Sequence, residues 1–119
     1  MRFRVQGLDH VAIGVADQAA SRDFYRDVLG LERKHEDAWG DMPVAMMAEH
    51  GGMALFPEAR RGNGFRHLAF RVDRANFELA QEDLREAGIE FEKQHHNVAE
   101  SIYFVDPDGN RLELTTYEV

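Results

Sequence analysis

Ile102-Tyr103-Phe104-Val105-Asp106-Pro107-Asp108-Gly109-Asn110-Arg111-Leu112-Glu113-Leu114 reads as two strands joined by a tight turn. Pro107 presets φ for the first turn position, Asp108 suits the next, and Gly109 tolerates the left-handed backbone that closes such turns. The flanks alternate as half-buried strands do. Phe104, Leu112 and Leu114 take the core side, which turns Arg111, Glu113 and Thr115 to the opposite face. Glu113 is an ordinary solvated charge there unless other chemically active side chains share that face.

Working outward from this hairpin, the chain repeats one order of elements. Leu8 to Val15 alternates as a strand, Asp17 offers an N-cap, Ala20, Phe24 and Val28 form a helical stripe, and Gly30 supplies the stop. Strand-like runs follow at Leu31 to His35, Pro43 to Ala48 and Met53 to Phe56, with Trp39 in the segment between the first two. After the charged connector Glu58 to Gly64 the order begins again. Phe65 to Val72 is a strand, Asp73 a cap, and Phe77, Ala80, Leu84 and Ala87 a stripe ended by Gly88. Glu90 to Asn97, Ser101 to Val105 and Arg111 to Tyr117 complete the second set. The expected fold is α+β: two βαβββ modules, about 1–58 and 65–119, forming paired four-stranded half-barrel sheets in one domain spanning 1–119.

Alternation then assigns faces. Val11, Ile13 and Val15 are the natural partners of the first helix, which turns His10, Ala12 and Gly14 away from it. Leu68, Phe70 and Val72 do the same for the second helix, turning His67, Ala69 and Arg71 away. His10 and His67 thus occupy matching places in the two modules, and Glu113 joins their face. One concave sheet face gathers two imidazoles and a carboxylate.

Composition bounds the function classes. The 119 residues, 44% hydrophobic and 30% charged, describe a soluble globular domain. The absence of cysteine removes disulfides, thiolate metal sites and a cysteine nucleophile. A net charge of −8 disfavours nucleic acid, whose phosphates need a basic face. The longest apolar run, Val44 to Ala48, is too short to span a bilayer, so no membrane is expected. The start, Met1 to Gly7, lacks the apolar core of a signal peptide, which makes the cytoplasm the expected location.

The duplicated order, the His10-Val11-Ala12-Ile13-Gly14-Val15 run, Phe24-Tyr25, Leu29-Gly30-Leu31 and the final hairpin resemble the vicinal oxygen chelate superfamily. That group includes glyoxalase I, fosfomycin-modifying transferases, bleomycin-resistance proteins and extradiol dioxygenases. The resemblance implies that His10, His67 and Glu113 hold a divalent metal ion. Two neutral imidazoles and a carboxylate suit Fe(II), Mn, Ni or Zn and leave positions open to a chelating small molecule. Fe(II) is the first expectation. His35 and His50 fall outside this pattern.

Departures from each member's pattern separate the chemistries. Ala54 stands where glyoxalase I members carry a second carboxylate, and alanine neither ligates a metal nor abstracts a proton. Lys93, Ser101 and Tyr103 resemble the phosphonate-binding and potassium-site region of the fosfomycin-type transferases. Against that reading, Ala12 replaces a hydroxyl, and the sequence given ends at Val119 without the arginine of the phosphonate clamp. The extradiol signature resembles a histidine (His95 or His96), then Ile102-Tyr103, Asp106-Pro107-Asp108-Gly109 and Glu113. Strand alternation allows at most one of His95 and His96 to reach the site. His95 and Tyr103 are the expected catalytic pair. Extradiol-type oxygenation is therefore the first expectation, with a fosfomycin-type thiol transferase or other glyoxalase-like lyase as the alternative. A bleomycin-resistance-like binding protein is the non-catalytic one, with Trp39 and Phe56 lining a ligand groove. By resemblance to the fosfomycin-type proteins, a homodimer is expected to share the metal site, His10 from one chain and His67 with Glu113 from its partner.

Overall fold

The computed structural model describes residues 1–58, 65–105, 107 and 111–119, excluding the Phe65 side chain. The turn residues Asp106 and Asp108 to Asn110, and the connector 59–64, lie outside them. The elements run β1 (Gly7–Val15), α1 (Gln18–Leu29), β2 (Glu32–Lys34), α2 (Glu36–Trp39), β3 (Val44–Ala48) and β4 (Gly51–Pro57). The second half follows with β5 (Phe65–Arg71), α3 (Arg74–Glu86), β6 (Glu92–His95), β7 (Glu100–Val105) and β8 (Arg111–Thr116).

The eight strands form one sheet in the order β2-β3-β4-β1-β5-β8-β7-β6. Each βαβββ set supplies one half, and the halves meet where β1 pairs antiparallel with β5. β1 with β4 and β5 with β8 are the parallel pairs, so β1, β5 and β8 lie side by side at the centre. This adjacency decides where the site forms.

Local chemistry starts and stops the helices where the residues dictate. The Asp17 carboxylate accepts from the Ala20 amide at 3.0 Å, and Gly30 closes α1 in the left-handed region at φ 71°. Asp73 caps α3 in the same way, accepting from the Asn76 amide at 2.8 Å. α3 buries Phe77, Ala80 and Leu84 against Val72, Ile102 and Leu114. Fully burying an aromatic ring contributes heavily to stability. Phe77→Ala is expected to cost about 3–5 kcal/mol, read as a lower urea midpoint with an unchanged slope.

α1 differs from expectation. Its stripe of Phe24 and Val28 is 55% and 61% exposed, and Ala20 is exposed too. The helix docks instead through the half-buried face of Gln18, Ser21, Arg22 and Tyr25. The Gln18 side-chain amide donates to the Leu55 and Asp41 carbonyls at 2.8 and 2.7 Å, and Tyr25 packs on the Val44, Met46 and Leu55 cluster. Two specific hydrogen bonds and one ring outweigh the apolar stripe in setting the helix rotation. Among the described residues no helix is long and apolar enough to cross a membrane.

Candidate metal centre

His10, His67 and Glu113 come together within one chain. The two Nε2 atoms are 3.2 Å apart, and Glu113 Oε1 lies 3.3 Å from His10 Nε2 and 3.0 Å from His67 Nε2. The register explains the meeting. Ala12 pairs with His67, and Ala69 pairs with Glu113, on three adjacent strands. β1, β5 and β8 are neighbours in a single sheet, so the three candidate ligands already converge within one chain, where the expected arrangement drew them from two.

Two β-bulges shape what surrounds the histidines. Leu8 pairs with Phe70 and His10 with Ala69, which leaves Asp9 as an extra residue in β1. Strict alternation sends Asp9 to the far face, but the bulge lets it reach the His10 ring. Asp9 is 1% exposed and accepts from Arg71 Nε and Nη2 at 2.8 and 2.6 Å, and from the Tyr117 hydroxyl at 2.9 Å. Its other contact is His10 Nδ1 at 2.7 Å. Burial acts to raise the Asp9 pKa, but His10 and Arg71 hold it below the ordinary carboxylate range. A carboxylate acceptor places a proton on His10 Nδ1, which leaves Nε2 to face the site.

Glu113 is 3% exposed and anchored from behind, its Oε2 accepting from the Ser101 hydroxyl at 2.6 Å. Burial alone would raise its pKa, but the imidazoles of His10 and His67 and the Ser101 hydroxyl hold it well below the carboxylate range. Among the described residues its other oxygen, Oε1, is buried without a hydrogen-bond partner, although both ring nitrogens stand within ion-pair distance. Burial opposes charge on His10 as well. The Asp9 hydrogen bond and Glu113 overcome it and push the His10 pKa to about 9.

These observations fit a divalent cation. Ligand atoms about 2.1 Å from one ion, at right angles, lie about 3.0 Å apart, close to the spacings found here. An orphaned buried carboxylate oxygen has its natural partner in such an ion. His10, His67 and Glu113 would hold it. Asp9 is then the residue that fixes the His10 tautomer, and Asp9→Asn is expected to weaken metal affinity about 10–100-fold. Competition against a chromophoric chelator measures this, with circular dichroism reporting that the fold is kept.

The three candidate ligands open onto a cavity of about 410 Å³. Its walls include Trp39, Met47, Met53, Ala54 and Phe56, so the position aligned with a second carboxylate does face the site and is an alanine there. Tyr103 and His96 also line it, with His96 Nε2 2.8 Å from the Tyr103 hydroxyl. Burial lowers the His96 pKa, and burial with the charge of Glu113 pushes Tyr103 above the usual phenol range. His95 is corrected: it is exposed and lies off the cavity, because Gln94 and His96 share the inward face of the β6 end while Lys93 and His95 share the outward one. Lys93 turns to the helix side, 3.4 Å from Glu100 and over the Phe77 ring.

Asp9 and the inward choice of His96 were not readable from alternation, whereas Arg71, at intervals of two from His67 and Ala69, was. Tyr117 was too, since it follows Glu113 and Thr115 at intervals of two. Trp39 is held over the cavity by its indole N–H donating to the His96 carbonyl at 2.7 Å, a contact between the two modules. His35 stacks on Tyr117 beside it, while the His50 side chain is 89% exposed.

The model of the Glyoxalase/Bleomycin resistance protein/Dioxygenase superfamily matches residues 7–114. The chain belongs to that superfamily. Among its relatives, glutathione transferase FosA of Serratia marcescens is 32% identical over 116 residues, covering 92% of this chain and 80% of that protein. Among solved structures, methylmalonyl-CoA epimerase from Mycobacterium tuberculosis superposes with a TM-score of 0.74 at 22% identity, covering 98% of this chain and 91% of that one. A catechol 2,3-dioxygenase superposes with a TM-score of 0.70 at 19% identity, covering 96% of this chain and 40% of that one. At these identities the two structures establish the superfamily fold alone. Metallothiol transferase FosB of Bacillus licheniformis, 25% identical over 122 residues and covering 98% of this chain and 79% of that protein, carries a metal in its name, in keeping with the group formed here by His10, His67 and Glu113.

Proposed function

We propose that this superfamily member is an Fe(II) enzyme that chelates a catechol-type substrate through its adjacent oxygens and opens the ring with dioxygen. The observation that carries this reading is the His96–Tyr103 pair, joined at 2.8 Å and lining the same cavity as the three ligands. Fe(II) held by His10, His67 and Glu113 would supply Lewis acidity toward a coordinated hydroxyl and the electrons that dioxygen chemistry needs. The remaining work falls to the chain itself. Trp39, Met47, Met53 and Phe56 accept a flat ring and exclude water from it. His96, kept neutral by burial, accepts a catechol proton, and Tyr103, kept protonated, returns one to the opening ring. Both atoms of dioxygen enter the product as the carbon–carbon bond beside the diol breaks, so no external reductant is consumed.

A second reading, thiol transfer, has support from the 32% identity to glutathione transferase FosA. Against it stand buried Ala12 in place of a hydroxyl and Lys93 on the helix side. One experiment separates them: anaerobic Fe(II) reconstitution, then oxygen uptake over a panel of catechols beside thiol consumption over a panel of epoxides. Oxygen uptake matched by a yellow ring-opened product supports oxygenation. Thiol loss with no oxygen uptake overturns it in favour of transfer.

A further inference from the structure

The chain carries a net charge of −8, yet the described residues lining the cavity include one carboxylate, Glu113, and two guanidiniums, Arg66 and Arg111. Glu113 is committed to the metal centre. Among the described lining residues cationic side chains thus outnumber carboxylates, with Glu58 beside Arg66 as a nearby counter-charge, and such a lining draws anions.

Both arginines are brought there by backbone geometry. Ala12 pairs with His67 and Ile13 with Phe65, which leaves Arg66 as the extra residue of a bulge in β5. That bulge re-aims Arg66 beside His67, as the one in β1 does for Asp9 beside His10. Arg111 reaches the same face by plain alternation with Glu113 and Thr115. Leu68 and Leu112 are paired in the parallel β5–β8 ladder, so Arg66 and Arg111 stand at the same end of adjacent strands.

Aromatic walls restrain both long side chains. The Arg66 guanidinium carbon sits 4.3 Å from the centroid of Phe56, and that of Arg111 sits 4.5 Å from the centroid of Tyr103. Arg66 spends one of its donors on Glu58, 3.2 Å away, which leaves the rest of its fork available. A guanidinium held by stacking loses less freedom on gripping a planar or tetrahedral anion.

We propose that Arg66 and Arg111 form an anion subsite, so that the substrate carries a carboxylate or phosphonate in addition to the oxygens it presents to the metal centre. This deepens the proposed function and rests on it only for the second anchor. The site selects a charged catechol over a neutral one, with the ring between the metal ligands and the two arginines.

The test uses zinc-loaded protein, which is inert to oxygen, and the fluorescence of Trp39, the single tryptophan and a cavity-wall residue. Matched probes are 3,4-dihydroxybenzoate against 3,4-dihydroxybenzamide, and 3,4-dihydroxyphenylphosphonate against its dimethyl ester. Benzoate and benzamide, which lack the diol, are run in parallel. The charged member of at least one diol pair is expected to bind at least about tenfold tighter, an advantage that shrinks as salt rises. The larger of the two ratios identifies carboxylate or phosphonate as the preferred group. Arg66→Gln with Arg111→Gln is expected to bring the ratio near one while leaving the neutral twin's affinity unchanged. An arginine-dependent preference for benzoate over benzamide, even where no catechol binds, supports the subsite and counts against the diol reading alone. Equal binding of charged and neutral twins, a charge preference that survives the double substitution, or no anion binding at all overturns the proposal.

Discussion

Alanine in place of His10, His67 or Glu113 is expected to empty the metal centre: content falls from about one ion per chain to a small fraction of that. The reason is local and quantitative. Each residue supplies one of three converging atoms, all within 4.8 Å of one another, so removing any one leaves two ligands, and removing Glu113 also takes away the negative charge. Losing a residue that merely orients a ligand costs about 10–100-fold in affinity, and losing the ligand itself costs more. Glu113→Ala has a further consequence, because it removes the buried charge that His10 and His67 face. His35→Ala, outside the three converging atoms, keeps full metal content. Metal analysis after purification without chelator reads all four variants, and full retention in the three single-ligand variants contradicts the site.

The second large effect is on turnover. Tyr103→Phe keeps the ring against His67 and the wall of the cavity but removes the hydroxyl that meets His96. General acid–base groups contribute typically about 10²–10⁴-fold, so kcat is expected to fall by that order with KM little changed. His96→Gln is expected to fall comparably, and His95→Gln to stay near the parent. The pair acts as a unit, so the double variant Tyr103→Phe with His96→Gln loses little beyond either single one. Equal losses in His95→Gln and His96→Gln would remove the proton-handling role from this pair.

Much of this architecture is legible in the sequence because period-two alternation and turn chemistry are local. Leu112, Glu113 and Leu114 declare their faces without help from the rest of the chain, and so do His67 and Leu68. The duplicated order then brings His10 and His67 to equivalent strands. What escapes the sequence is non-local. The bulges at Asp9 and Arg66 depend on how β1 and β5 slide into register, which no run of residues in either strand announces. Choosing His96 over His95 depends on the β6–β7 pairing, where His95 sits opposite Glu100 and turns outward. The rotation of α1 is set by Gln18 reaching two carbonyls, so the visible Phe24–Val28 stripe misleads. The single-chain site follows from the central β1–β5 pairing, whereas resemblance alone pointed to a site shared by two chains.

That last point gives subunit mixing a definite outcome. Chains carrying His10→Ala and Glu113→Ala, exchanged under conditions that scramble subunits, are expected to recover no metal binding, since every chain keeps its own lesion. Recovery would place the ligands on different chains.

The most direct measurement is the anomalous scattering map of a crystal grown from zinc-loaded protein. One peak is expected per chain, about 2.0–2.2 Å from Nε2 of His10, Nε2 of His67 and Oε1 of Glu113, all of the same chain. A peak elsewhere, or one whose histidines belong to different chains, contradicts the account.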